Sequence, residues 1–348
     1  MGAPKRVRWG ILSTALIGTQ RVIPGMLKSR EFDVAAIASR DLAKATEAAN
    51  TLGIPLAYGS YEALLGDPSI DAIYNPLPNH LHVPMTVAAA QAGKHVLCEK
   101  PMALTAAELV ALRPFASKVH IREAFMVRHH PQWHEAREHV RAGSIGELRF
   151  IHAPFCYHND NPQNIRNRAD IGGGGLYDIG CYAVVAGRWF FEREPARVVA
   201  ALDRDPKFAT DRVTSGILDF GIGQLAFTVS TQAARYQRLQ LVGTSGRLEI
   251  EIPFNAPTDV PCRYFIDDAR SLDSAGVRAF TVPVCDQYQL QAEAFSRAVV
   301  AEKPNARWLD DAVANMRIID ALFASDKSGR FERPRRRSAP RKQTISGA

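Results

Sequence analysis

The sequence predicts an α/β part followed by an α+β part: first a doubly wound parallel sheet, then an open-faced, largely antiparallel β-sheet. Three observations predict this. Up to about residue 125, short apolar runs alternate with helical segments, as in β–α–β units. From residue 195 the pattern becomes alternating strands joined by glycine turns at 221–223 and 243–246. The chain has 348 residues, 46% of them hydrophobic, which suits two cores. The expected divisions are 1–124, 125–330 and a basic, disordered tail over 331–348.

Residues 6–12 read as a buried first strand. Ser13, Thr14, Ala15, Leu16, Ile17 and Gly18 follow, then a helical run over 19–28. This is the strand–turn–helix position of a dinucleotide fingerprint, and Ser13, Ala15 and Gly18 keep the GxGxxG spacing. Small residues let the backbone approach a pyrophosphate at a helix N-terminus, with Thr14 and Ile17 beside it. Ser13 lacks glycine's freedom at positive φ, so the turn should differ slightly from the glycine form. Taken alone, a plain strand–helix turn explains the stretch as well.

A second strand over 33–38 ends in Ser39 and Arg40. An acid there would bind the ribose hydroxyls of NAD; a hydroxyl and a guanidinium suit a 2′-phosphate, so NADP is expected over NAD. Asp41 is the counter-evidence, because a shifted turn would offer its carboxylate to the ribose. Lys44, on the first turn of a helix over 42–52, is a second phosphate contact or a solvated lysine.

A strand over 55–58, a short helix over 61–65 and a strand over 71–74 lead to Asn75, Pro76, Leu77, Pro78 and Asn79. Two prolines stiffen that loop into a wall for a ring system, or into a rigid connector. Asn75, Pro76, Leu77, Asn79 and His82 are the cofactor candidates here. His80 and His82 lack an acid or cysteine partner nearby, so hydrogen bonding is expected of them and no metal.

The next strand ends in Cys98, Glu99, Lys100 and Pro101. A lysine at the carboxyl end of a buried parallel strand sits where open α/β sheets bind ligands. Holding an ammonium there is unfavourable unless it is used or paired, and Glu99 is the nearest pairing partner. A helix over 102–117 and a last strand over 119–125 complete the first part. Arg128, in the crossing to the second part, faces the cofactor or forms a structural salt bridge. A helix over 132–142 and a strand over 147–153 follow.

Gly172 to Gly175 are four consecutive glycines, expected to let a loop approach a ligand closely. The helix after them, over 176–190, carries Asp178 and Tyr182 on one face, four residues apart; each taken alone, Asp178 reads as a first-turn helix acid and Tyr182 as a core tyrosine. Ahead of the glycines, Tyr157, Arg166 and Asn167 suit a polyhydroxylated substrate, or serve a structural loop. Helices over 286–301 and 309–325 close the chain.

The net charge is +7, but 331–348 hold six basic residues against one acid, so the body is nearly balanced. The tail reads as a solvated terminus rather than a nucleic-acid contact. Five scattered cysteines, an odd number, suggest free thiols in a reducing, cytoplasmic compartment. No apolar run is long enough for a bilayer, so no membrane partner is expected.

The fingerprint turn, the 75–80 loop and Glu99-Lys100-Pro101 together resemble the glucose–fructose oxidoreductase / inositol dehydrogenase / MocA family. Many members carry histidine where Tyr182 stands; the tyrosine form is similar to the sugar (xylose-type) dehydrogenase and dihydrodiol dehydrogenase branch. The resemblance implies a Rossmann domain and an open sheet that covers the substrate and uses its other face for subunit contact, hence a homodimer or homotetramer. It implies that Lys100 positions the substrate and steers the proton, that Pro101 lies near the nicotinamide, and that the last helix packs back on the first domain. The expected activity is NADP-dependent oxidation of C1 of an aldose, Tyr182 and Lys100 handling the proton and Asp178 orienting hydroxyls. A free phenol is a poor base at neutral pH, and the Lys100 ammonium is expected to bring it down. A keto-sugar reductase or a dihydrodiol dehydrogenase shares every motif. A sensor of NADP(H) or of a sugar need not keep the Lys100–Asp178–Tyr182 set.

Overall fold

The computed structural model describes residues 6–334. The first sheet has six strands: β1 (Val7–Leu12), β2 (Phe32–Ala38), β3 (Leu56–Tyr58), β4 (Ala72–Asn75), β5 (His95–Cys98) and β6 (Ile121–Glu123), ordered β3-β2-β1-β4-β5-β6. Every pairing in it is parallel. The order reverses at β1/β4, and such a switch point leaves a crevice at the carboxyl ends of the strands. Four α-helices belong to this part: α1 (Ile23–Met26), α2 (Leu42–Leu52), α3 (Tyr61–Leu65) and α4 (Asn79–Gln91).

Two helices depart from expectation. The run over 19–28 opens as a π-helical turn, Gly18–Val22, and becomes α-helical where Pro24 sits at its start. The helix over 102–117 is instead a 3₁₀ stretch, Glu108–Phe115, with Pro114 inside it. Proline lacks the N–H that an α-helix needs and its ring crowds the carbonyl four residues back.

The chain crosses over near residue 125 into α5 (Pro131–Arg141), β7 (Leu148–His158) and α6 (Cys181–Phe191). Then come β8 (Arg197–Arg204), β9 (Asp211–Asp219), β10 (Gln224–Ser230), β11 (Gln232–Gln237), β12 (Leu239–Gly243), β13 (Arg247–Ile250), β14 (Cys262–Asp267) and β15 (Arg278–Val282). The sheet order is β15-β14-β13-β12-β7-β10-β9-β8, with β11 beside β7. All its pairs are antiparallel except β10 with β7. The pattern after residue 251 had not suggested β14 and β15. Ile151, Ala153 and Phe155 of β7 are buried on its inner face, whereas Phe150 stays 48% exposed on the other.

Two helices end the fold, α7 (Gln287–Ala301) and α8 (Arg307–Ser328). Both return to the first sheet. Phe295 of α7 packs on Trp9, whose indole N–H donates to Ser296 Oγ at 3.0 Å. Asn315 of α8 donates to Glu123 Oε2 at 2.8 Å, and Asp320 accepts the Ala106 N–H at 3.0 Å. Beyond α8, Glu332 forms an antiparallel bridge with Val198. The rest of the tail, 335–348, lies outside the described residues.

Candidate active site

The turn after β1 sits at the sheet's switch point. Ser13 adopts φ +85, the left-handed conformation that favours glycine. Its Oγ accepts the Ala15 N–H at 3.0 Å and its own N–H donates to Ala38 O at 2.8 Å. The turn therefore keeps the glycine geometry, contrary to expectation, because the hydroxyl holds Ser13 there. Thr14 and Ala15 lead into the helix, where Thr19 N–H donates to Ala15 O. Gly18 abuts the proline loop: a Cβ on it would lie 3.6 Å from Pro76 Cγ.

At the end of β2, Asp41 is committed elsewhere. Its Oδ1 accepts the Ala43 and Lys44 N–H groups, at 2.9 and 3.3 Å, and so caps α2. Ser39 Oγ accepts the Asp41 N–H at 3.3 Å. Arg40 and Lys44 are exposed and, among the described residues, neither forms an ion pair. Burial raises the Tyr61 phenol, against the opposing pull of the Arg40 guanidinium. Two cations and a hydroxyl, with the Asp41 carboxylate turned to the helix cap, fit a 2′-phosphate better than a bare ribose.

The central cavity, of about 400 Å³, brings the other candidates together. From the first domain it is lined by Ile17, Pro76, Leu77, Asn79, His82, Glu99 and Lys100; from the second, by Tyr157, Arg166, Asp178 and Tyr182. Asn79 Nδ2 donates to Gly172 O at 2.8 Å. His82 braces two loops, with Nδ1 2.7 Å from Pro101 O and Nε2 2.6 Å from Leu77 O; burial pushes its imidazole down to about 4. Glu99 accepts the Tyr74 hydroxyl at 2.8 Å, and burial raises its carboxyl.

Asp178 is the hub. Tyr157 O–H donates to its Oδ2 at 2.5 Å, and Arg166 Nε lies 2.9 Å from the same oxygen. Lys100 Nζ donates to its backbone carbonyl at 2.7 Å and lies 3.6 Å from Oδ1. Burial opposes the charge on Asp178, but Arg166, Lys100 and the Tyr157 hydroxyl hold its carboxyl down at about 2. Burial is the largest single influence and works against the Lys100 ammonium, but Asp178, Cys181 and Glu99 together outweigh it, so its pKa is raised.

Tyr182 is 4% exposed and ringed by Phe125, Phe155 and Phe254. Lys100 Nζ sits over its ring, 4.8 Å from the centroid. Burial drives the phenol well above its ordinary value, so the expected lowering by Lys100 does not occur. Its hydroxyl donates to Met126 Sδ at 3.3 Å, a weak acceptor that leaves the proton available.

Other candidates turn elsewhere. Asn75 is fully buried: its amide donates to His82 O and Thr86 Oγ1 and accepts the Leu77 N–H, so the side chain shapes the loop from inside. Asn167 donates to Asn159 O and Asn161 O and staples its own loop. Arg128 pairs with Asp311 and lines a separate cleft. The glycines also serve the protein itself. A Cβ on Gly173 would meet Arg166 O at 2.5 Å, and one on Gly174, at φ +115, would meet Asp211 Oδ1 at 2.0 Å. They let the 166–168 loop and β9 close around the start of the Asp178 helix, whose Leu176 N–H donates to Asp211 Oδ2 at 2.6 Å. That helix begins as a π-turn, Leu176–Gly180, before α6.

Met126, Phe155, Asn255 and Tyr288 also line the cavity and carried no signal in the sequence. Each is set by a distant element: Tyr288 arrives on α7, whose N-cap Asp286 is tied to Lys28 at 2.8 Å.

Comparison with known proteins agrees with this geometry. Residues 7–129 match the model of an oxidoreductase family with an NAD-binding Rossmann fold, and 133–249 match the GFO/IDH/MocA C-terminal domain. An uncharacterised oxidoreductase of Rhizobium meliloti is 44% identical over 94% of this chain and 98% of its own. A D-xylose 1-dehydrogenase (NADP+) of Haloferax volcanii is 40% identical over 92% and 98%. A 3-ketoreductase of Actinomadura kijaniata, solved with NADP and TDP-benzene, superposes with a TM-score of 0.85 at 28% identity, covering 92% of this chain and 98% of its own. With both halves matched by the family's models, the chain is an oxidoreductase of the GFO/IDH/MocA family.

Proposed function

We propose that the protein is an NADP-dependent sugar dehydrogenase that oxidises C1 of a free aldose of the xylose or glucose type. The observation that carries this reading is the convergence of Lys100, Asp178 and Tyr182 in one cavity beside Pro76 and Leu77. Bound NADP supplies the hydride acceptor. Asp178, held ionised, accepts hydrogen bonds from sugar hydroxyls and anchors Lys100. Lys100 and Tyr182 flank the reacting oxygen and handle its proton. Charge balance supports an uncharged sugar: Lys100 and Arg166, the lysine and arginine of this cavity wall, are both engaged by Asp178. A diphosphate would lack a free cation. The 40% identical xylose dehydrogenase supports the same substrate class and the same cofactor. The open face around Phe150 supports a homodimer or homotetramer.

A keto-sugar reductase is the second reading, and one observation favours it. Both Lys100 and Tyr182 hold their protons, as donors to a carbonyl oxygen would.

Absorbance at 340 nm, with NADP and then NAD against xylose, glucose and other aldoses, tests both. Reduction of NADP by an aldose is the expected result. Oxidation of NADPH by a keto-sugar, with no aldose active, would move the assignment to the reductase.

A further inference from the structure

A second cleft, of about 340 Å³, takes Arg128 of the domain crossing into its wall and shares no lining residue with the active site. It is lined by Arg128 of the crossing, Arg137 of α5, Arg188 and Trp189 of α6, Glu192, Arg193 and Glu194 after it, and Asp311 of α8.

Its acids are already taken. Asp311 holds both Arg128 and Arg188, Glu194 holds Arg188, and Glu192 holds Arg141, which is outside the lining. Among the described residues, neither Arg137 nor Arg193 forms an ion pair. The cleft therefore carries surplus positive charge.

The Arg137 guanidinium is also pre-set. Its Cζ lies 3.7 Å from the centroid of the Trp189 ring. Trp189 is fixed in turn by its indole N–H, which donates to Trp133 O at 3.2 Å, and by edge-on packing against Trp133. Stacking fixes the guanidinium plane and leaves its N–H edge to bind in-plane oxygens. The Nε donors of Arg128 and Arg137 are buried without a hydrogen-bond partner. Burial and the neighbouring Arg141 both disfavour the charge on Arg137, a burden that an anion would relieve.

We propose that this cleft binds a small oxyanion, the phosphate or carboxylate group of a metabolite. Its volume admits a phosphate, a citrate or a phosphorylated sugar and is too small for a dinucleotide. Arg128 stands two residues from Met126, the partner of the Tyr182 hydroxyl, so occupancy would be felt at the active site through the crossing segment.

The test titrates the full chain with inorganic phosphate and with citrate, by calorimetry and tryptophan fluorescence, at ionic strength fixed with sodium chloride. A saturable single site is expected for at least one of them, and which one saturates distinguishes phosphate from carboxylate. Arg137→Gln and Arg193→Gln should each weaken it about tenfold or more, as loss of a charge-assisted hydrogen bond does. Both should keep the wild-type melting midpoint and 340 nm activity within about twofold. A response that never saturates and equals that of chloride would overturn the proposal. So would unchanged affinity in both variants.

Discussion

The proposed adenosine end of the cleft takes its groups from residues 13–44, most of them exposed or on the backbone. The reacting end draws Lys100 from after β5, Arg166 and Tyr157 from the second domain, Asp178 and Tyr182 from the helix behind the glycines, and Tyr288 from α7. One end is a local turn that binds. The other is a buried ion cluster in which each charge is set by a neighbour distant in sequence. Losses at the reacting end should therefore appear in turnover, and losses at the adenosine end in cofactor choice.

Lys100→Met attacks the reacting end directly. We expect kcat to fall by about 10³-fold or more, the range of a lost acid/base group, with NADPH affinity by fluorescence titration within a few-fold. Equal loss of binding and turnover would erase the contrast between the two ends.

The pH profile sharpens it. Lys100 and Tyr182, the proposed proton-handling groups, both have raised pKa values, so oxidation that needs one of them deprotonated should rise with pH through neutrality. A log-rate slope approaching one between about pH 6 and 9 is expected for kcat/KM of aldose oxidation, and a flat profile for the reverse reduction. A pH-independent oxidation rate would show that loaded cofactor and sugar reset these groups.

At the other end, Arg40→Ala should lower the NADP-to-NAD ratio of kcat/KM by about 10- to 100-fold, the loss of one charged phosphate contact. Turnover at saturating NAD should stay unchanged. An unaltered ratio would leave Lys44 or Ser39 as the selector.

What could be read from sequence follows the same division. The turn after β1, Arg40, the proline loop and Lys100 could be placed from sequence because each stands within a few residues of its own strand end. Asp178 and Tyr182 were legible as a helical pair. Tyr182's surroundings were not: the thioether of Met126 and three phenylalanines come from elsewhere and reverse its predicted titration. For Arg128 and Asn167 the structure takes the structural alternative that the sequence left open, a salt bridge to Asp311 and a loop staple to Asn159; Asn75 is turned inward by Thr86, and these partners are brought up only by the fold. The glycines promised closeness and delivered it, but to Asp211 and the 166–168 backbone.

The smallest expected effect falls on the turn itself. Ser13→Gly relieves a left-handed φ worth about 1–2 kcal/mol but loses the Ala15 hydrogen bond and adds chain entropy, so stability by denaturant melting should stay within about 1 kcal/mol. Destabilisation well beyond that would mean that the Ser13 hydroxyl, and no longer the backbone, organises the cofactor end.

Trp9, in the first strand, is covered by Phe295 and bonded to Ser296, almost the whole chain away. During synthesis the nucleotide-binding half emerges first, yet its core stays open on that side until α7 leaves the ribosome. Until then an indole on β1 faces water. A fragment ending at the domain crossing would carry that bare apolar face permanently, and would meet chaperones or its own copies where the full chain meets α7.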